Sequence, residues 1–299
     1  MVLDGGTLTP WNNHTFSDAI VVTANGGFIE NQGFFQTYTG AVQIDGATQI
    51  NTIVGGNITL AGNVSGNGAI TKIGGYSLFL SGDNSSYTGT FTTNESNTFF
   101  GAPTGGSAGA AFVVNASYLS VSVGGVLGVD LGSLAGSGGA IGNNNAGGAV
   151  TFSIGGNNTN TVYNGGIVDS NGAGGTTAIT KVGTGTLTLN GTLSYTDVTN
   201  INSGTLNVNS ALGAGANVVN ANGGNTNFSV SETLAALNIG NGAVVTLGPA
   251  APAPGLLFAE AAGFDGGATA AVPEPGPFVS LLSGLAVLLG LRRRPFCVP

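Results

Sequence analysis

One unit occurs twice in this chain. Ala69-Ile70-Thr71-Lys72-Ile73-Gly74 returns as Ala178-Ile179-Thr180-Lys181-Val182-Gly183, and Ser77-Leu78-Phe79-Leu80-Ser81-Gly82 returns as Thr186-Leu187-Thr188-Leu189-Asn190-Gly191. Eight of the 14 aligned positions are identical, and Tyr87-Thr88 aligns with Tyr195-Thr196 after a slip of one residue. Lys72 and Lys181 are the only cations before the last eight residues, so both occupy one slot of one unit. Such a repeat narrows the choice of fold sharply, because a short unit buries its apolar face only by stacking on a neighbour.

Within each copy apolar and polar residues alternate. Leu187 and Leu189 point to one face, and Thr186, Thr188 and Asn190 to the other. The same period of two runs through Asn57-Ile58-Thr59-Leu60, Leu119-Ser120-Val121-Ser122-Val123 and Leu206-Asn207-Val208-Asn209. Gly-Gly, Gly-Asn and Asn-Gly clusters separate these segments, which is the pattern of serial short strands. Helical spacing is not sustained; Glu232 to Leu237 comes nearest, and Gly240-Asn241-Gly242 after it favours a turn between strands. With 55 glycines, 41% apolar and 6% charged residues, the chain has apolar material for a core and uses Thr, Ser and Asn as its polar exterior. The expectation is an all-β solenoid over residues 1–249. The aromatic group Phe28, Phe34, Phe35 and Tyr38 is compatible with an end cap.

The first copy, with Gly82-Asp83-Asn84 and Tyr87-Thr88-Gly89, resembles the autotransporter-associated β-strand repeat. The second copy, continuing to Asn202-Ser203-Gly204-Thr205-Leu206, resembles it more fully. The clearest copies span 69–96 and 178–209. The resemblance implies a right-handed parallel β-helix and a passenger-type protein of a Gram-negative bacterium.

Residues 250–271 are rich in Ala, Pro and Gly and read as a linker. Beyond them, Val272-Pro273-Glu274-Pro275 precedes an uncharged run from Phe278 to Leu291, and Arg292-Arg293-Arg294 follow. The run is shorter than the roughly 20 residues of a comfortable membrane span, and its basic end fits a cytoplasmic stop. Motif, order and position are similar to the PEP-CTERM sorting signal. That resemblance implies that Pro273, Glu274 and Pro275 are read by an exosortase-type processing enzyme. It also implies that one short hydrophobic helix holds residues 272–299 transiently at the inner membrane. Met1 to Thr7 has neither the positive nor the apolar part of a secretory signal, so for an exported protein either the true start lies upstream or the sequence is a fragment.

Little in the body points to catalysis. His14 is the only histidine, beside Asn12 and Asn13, and Cys297 is the only cysteine, inside the tail. The acids Asp4, Asp18, Glu30, Asp45, Asp83, Glu95, Asp130, Asp169, Asp197, Glu232, Glu260 and Asp265 are scattered singly, though a solenoid could join distant ones on adjacent rungs. Calcium-binding Gly-Gly-x-Gly-x-Asp and Asp-x-Asp patterns are absent, and Gly263 to Gly267 reads as linker. Thr184-Gly185-Thr186-Leu187-Thr188 reads as ordinary outward strand residues. Two lysines in the body cannot neutralise a run of phosphates, so nucleic acid is an improbable partner. No catalytic, cofactor or metal residue is assigned. The expected protein is an exported, non-catalytic, structural or adhesive solenoid of the cell surface or extracellular polysaccharide matrix. The alternative is a β-helix enzyme or lectin acting on extracellular carbohydrate, with polysaccharide the further partner in either case.

Overall fold

The computed structural model describes residues 1–248 and 269–271, apart from 54, 123, 125–127, 145–146, 170–174 and 214–216. The sorting motif, the hydrophobic run, the three arginines and most of the expected linker lie outside the described residues. The described chain is an all-β parallel solenoid of about 11 turns. One 12-stranded parallel sheet runs its length, with strands in chain order from Thr7–Leu8 through Ile70–Ile73 and Thr176–Lys181 to Ala236–Ile239. An eight-stranded sheet, from His14–Phe16 to Gly166–Val168, forms another wall of the earlier turns. A six-stranded sheet beginning at Thr161–Tyr163 serves the later ones, and four short strands from Val2–Leu3 to Val64–Ser65 close the first turns. The only helical piece among the described residues is the 3-10 turn Pro103–Gly105.

Register fixes the repeat length. Gln49 pairs with Thr71, Thr71 with Thr92, Thr180 with Asn200 and Asn200 with Asn220. Each turn therefore returns the chain to the same place one strand further on. Because pairing is in register, residues of one parity form inward columns. One such column is Phe16, Tyr38, Leu60, Leu80, Phe100 and Val121. Another is Leu187, Leu206, Thr226 and Val245. Most members of these columns are buried, and they form one continuous core. A fully buried Leu or Ile contributes about 1.5–3 kcal/mol. Within the first column the Phe16 and Tyr38 rings stack with centroids 4.9 Å apart.

Residues 1–68 belong to this stack and pair strand by strand with the later turns, so they are themselves solenoid turns. The aromatic group there divides by parity and place: Tyr38 is inward and buried, while Phe28 and Phe35 are exposed. Glu232 to Leu237 is not helical, and Ala236–Ile239 is a strand, in agreement with the turn signal after it. Thr269–Ala271 is a strand that pairs with Val244–Thr246, because the last complete strand otherwise leaves a row of backbone groups open.

Corners demand glycine where one turn crosses the next at backbone distance. At Gly136 φ is +141°, and a Cβ would collide with the Val114 carbonyl of the preceding turn. Gly136→Ala is expected to destabilise the fold by more than about 1 kcal/mol. Leu60→Ala, at a fully buried position in the middle of its column, should cost about 2–5 kcal/mol. Urea midpoints of the two variants against the unmodified chain check both figures.

Candidate functional site

The slot shared by the two copies is occupied in one way in both. Lys72 and Lys181 stand at inward positions, Lys72 in the column Ile29, Ile50, Lys72, Thr93 and Lys181 in the column Ile154, Lys181, Ile201, Ala221. Their side chains are 0% and 1% exposed. A buried ammonium needs partners, and the corners supply carbonyl oxygens. Lys72 Nζ donates to Gly74 O and Glu95 O, each at 2.8 Å. Lys181 Nζ donates to Val182 O at 2.5 Å and Gly183 O at 3.0 Å, with Ser203 O at 3.4 Å. Each lysine thus ties its own corner to the corner of the next turn.

The glycine two residues later is part of the device. Gly74 and Gly183 have φ of +87° and +67°, a conformation that L side chains rarely adopt, and their carbonyls both meet the ammonium. Glu95 completes the first cradle by accepting the Gly74 N–H at 2.8 Å. Burial pulls Lys72 down to about 8, and the Glu95 carboxylate pulls partly the other way. Burial lowers Lys181 as well.

The tyrosines of the repeat are corner fasteners too. Tyr87 OH lies 2.8 Å from Gly68 O and 2.9 Å from Thr90 O, and donates to one of them at a time. Tyr195 OH meets Thr199 Oγ1 at 2.7 Å, and Asn217 joins both by accepting from Thr199 Oγ1 and donating to Tyr195 O. Desolvation raises both phenols.

Outside, the later turns carry amide ladders. Asn238 donates to Asn220 and Asn220 to Asn200, each at 2.8 Å. Asn209 donates to Asn190 and Asn190 to Asn164, again at 2.8 Å. Asn227 donates to Asn207, which donates to Thr188. An amide is donor and acceptor at once, so it can pair with its own kind above and below. A column of like charges would repel. Beside one ladder runs an open groove of about 550 Å³, lined by Asn164, Asn190, Gly191, Thr192 and Ser210 among others, with no ionisable residue.

Several acids of the described residues are engaged locally. Asp4 accepts from Thr23 and Asn25, and these bonds lower its carboxyl. Asp169 accepts from Thr177 N and Thr196 Oγ1, and Asp197 from Thr176 Oγ1 and Val198 N. Glu232 accepts the Leu212 N–H, and partial burial raises it. Among the described residues no three His, Cys, Asp or Glu side chains gather as a metal site would require. His14 is exposed, with its ring centroid 4.3 Å from that of Phe16. The lysine cradle was visible in sequence only as a repeated letter; its role needed the register that puts Glu95 and Ser203 across from it.

Residues 179–208 match the family model of the passenger-associated-transport-repeat. The matched segment starts two residues before Lys181 and ends at Val208, the last residue of strand Thr205–Val208. No curated protein and no solved structure matches the chain. Repeat and solenoid together fit an autotransporter-like passenger, a surface β-helix protein.

Removing the ammonium tests the cradle. Lys72→Met leaves the Gly74 and Glu95 carbonyls without that donor and should cost about 1–3 kcal/mol near pH 7. Because the folded chain holds Lys72 below its ordinary 10.5, the unfolded chain binds more protons above about pH 8. The unmodified chain should therefore gain stability over Lys72→Met from about pH 7 to about 9.5. Urea titrations of both proteins across that interval measure it, and a pH-independent difference would mean that the ammonium is not held in a desolvated site.

Proposed function

We propose that this chain is an exported structural and adhesive solenoid of the cell surface or extracellular matrix, delivered through its Pro273-Glu274-Pro275 tail. The observation that carries the reading is the passenger-associated repeat on a parallel solenoid whose exterior is threonine, serine and asparagine. Stacked turns make a stiff body stabilised by contacts between neighbours. The amide ladders and threonine rows offer many weak polar contacts, which suits presentation and adhesion. Carboxylates engaged singly with neighbouring hydroxyls and amides support a non-catalytic role.

In this reading Pro273, Glu274 and Pro275 are the substrate of an exosortase-type enzyme. The apolar segment 278–291 sits in the inner membrane until processing, with Arg292, Arg293 and Arg294 on the cytoplasmic side. Cell fractionation with intact-mass measurement of the mature C-terminus tests the reading in an exosortase-bearing host. Unmodified protein should appear outside the cell without Arg292 to Arg294, and Glu274→Ala should remain at full length in the inner membrane. Extracellular protein that still carries the three arginines overturns the sorting step.

A further inference from the structure

We infer that Asn241-Gly242 is a site of spontaneous modification, where the chain's own backbone converts an asparagine into aspartate and isoaspartate. The inference does not rest on the export or adhesion reading. Glycine after asparagine favours this chemistry, because no Cβ hinders the following nitrogen as it swings toward the side chain. Among the described residues such pairs begin at Asn25, Asn67, Asn164, Asn190, Asn222 and Asn241. All of these asparagines are exposed, so access to water does not choose among them.

Hydrogen bonding does choose. Gly26 N donates to Thr23 O at 2.8 Å, and the Asn25 amide donates to Asp4. Gly68 N donates to Ile44 O at 2.9 Å. Gly165 lies so close to the Gly138 carbonyl that a Cβ would collide with it, and Asn164 Oδ1 accepts from Asn190. Asn190 is held on both sides of its ladder, donating to Asn164 and accepting from Asn209. Asn222 donates to Asn202 at 2.9 Å, and Gly223 N reaches Ile201 O at 3.3 Å. The Asn241-Gly242 turn is different. It is closed by Ala243 N donating to Gly240 O at 3.2 Å, and neither the Asn241 amide nor Gly242 N is bonded to another described residue. Gly242 has φ of +79° and open space where a Cβ would stand, so ring closure meets no neighbouring turn.

The chemistry needs only water. Gly242 N attacks Asn241 Cγ, the new N–C bond closes a five-membered imide, and the Cγ–Nδ2 bond breaks. The side-chain nitrogen leaves as ammonia, carrying the proton that the backbone amide gives up. Water then opens the imide at either carbonyl, to aspartate or to isoaspartate, with no change of oxidation state. The same event inside a ladder would replace a donating amide by a carboxylate facing the next Asn oxygen. The weak point of the chain thus stands off the ladders, and the ladder bonds hold the other amides away from the reaction.

Peptide mapping by mass spectrometry tests this on the purified full chain, incubated at mildly alkaline pH in heavy-oxygen water. Asn241 should convert about tenfold or more faster than Asn190 or Asn222, with heavy oxygen incorporated and isoaspartate among the products. In urea, where ladders and turn are both lost, the rates should converge. Asn164→Ala with Asn209→Ala frees the Asn190 amide and should raise its rate about tenfold, while an unchanged rate at Asn222 shows that the fold persists. Equal rates at Asn190 and Asn241 in the folded chain, conversion without heavy oxygen, or no acceleration at Asn190 in the double variant overturns the proposal.

Discussion

Every turn of this molecule depends on the backbone hydrogen bonds it makes to the turns above and below. In the 12-stranded sheet the pairing is parallel throughout, so no strand is satisfied by its own hairpin partner. In-register stacking has a second effect. It sets equivalent side chains about 4.8 Å apart in columns, inside and outside alike. A residue is then acceptable only if it tolerates its own likeness as a neighbour. Leu, Ile and Val do so by packing, Thr by its β-branched shape, and Asn by donating to the Asn below and accepting from the Asn above. Charges do not, which gives a physical account of a body with two lysines and isolated acids.

The lysine slot follows from the same constraint. Corners break the ladder and leave carbonyls turned inward, and a carbonyl without a donor in the core is costly. One flexible ammonium has three donors and reaches two corners at once, so a single residue per unit repairs what two turns leave open. Its positive charge is met by carbonyl dipoles in both copies and by a carboxylate in one, through Glu95. The second copy has Asn202-Ser203 across from it, and Ser203 Oγ bonds to Gly183 O. The lysine-to-carbonyl tie is therefore common to both copies, and the acid is an addition to it.

Much of this was legible in sequence wherever alternation and repetition coincide. Leu187 and Leu189 are buried on one face and Thr186 and Thr188 are more exposed on the other, as the period of two requires. The repeated lysine marked the unit. Other parts could not be read, because their determinants lie a full turn away. Residues 1–68 lack the lysine motif, and their membership in the stack rests on pairings such as Ile50 with Lys72. The aromatic group Phe28 to Tyr38 looked like one patch because linear proximity hides the parity that sends Tyr38 inward and leaves Phe35 out.

Column physics also separates what the fold requires from what it merely permits. Glycine at Gly136 is required, since any side chain would collide with Val114 O. A donor at Lys72 is required by the corner carbonyls. An exposed tryptophan at residue 11 is required by neither, because a side chain left 73% exposed packs little against the neighbouring turns. Large apolar side chains in water bring no packing gain to a turn and raise the risk of association. Exposed aromatics such as Trp11, Phe28 and Phe35 are thus a property of the surface rather than of the stack, and the place to look for what the solenoid touches is where the fold itself did not dictate the residue.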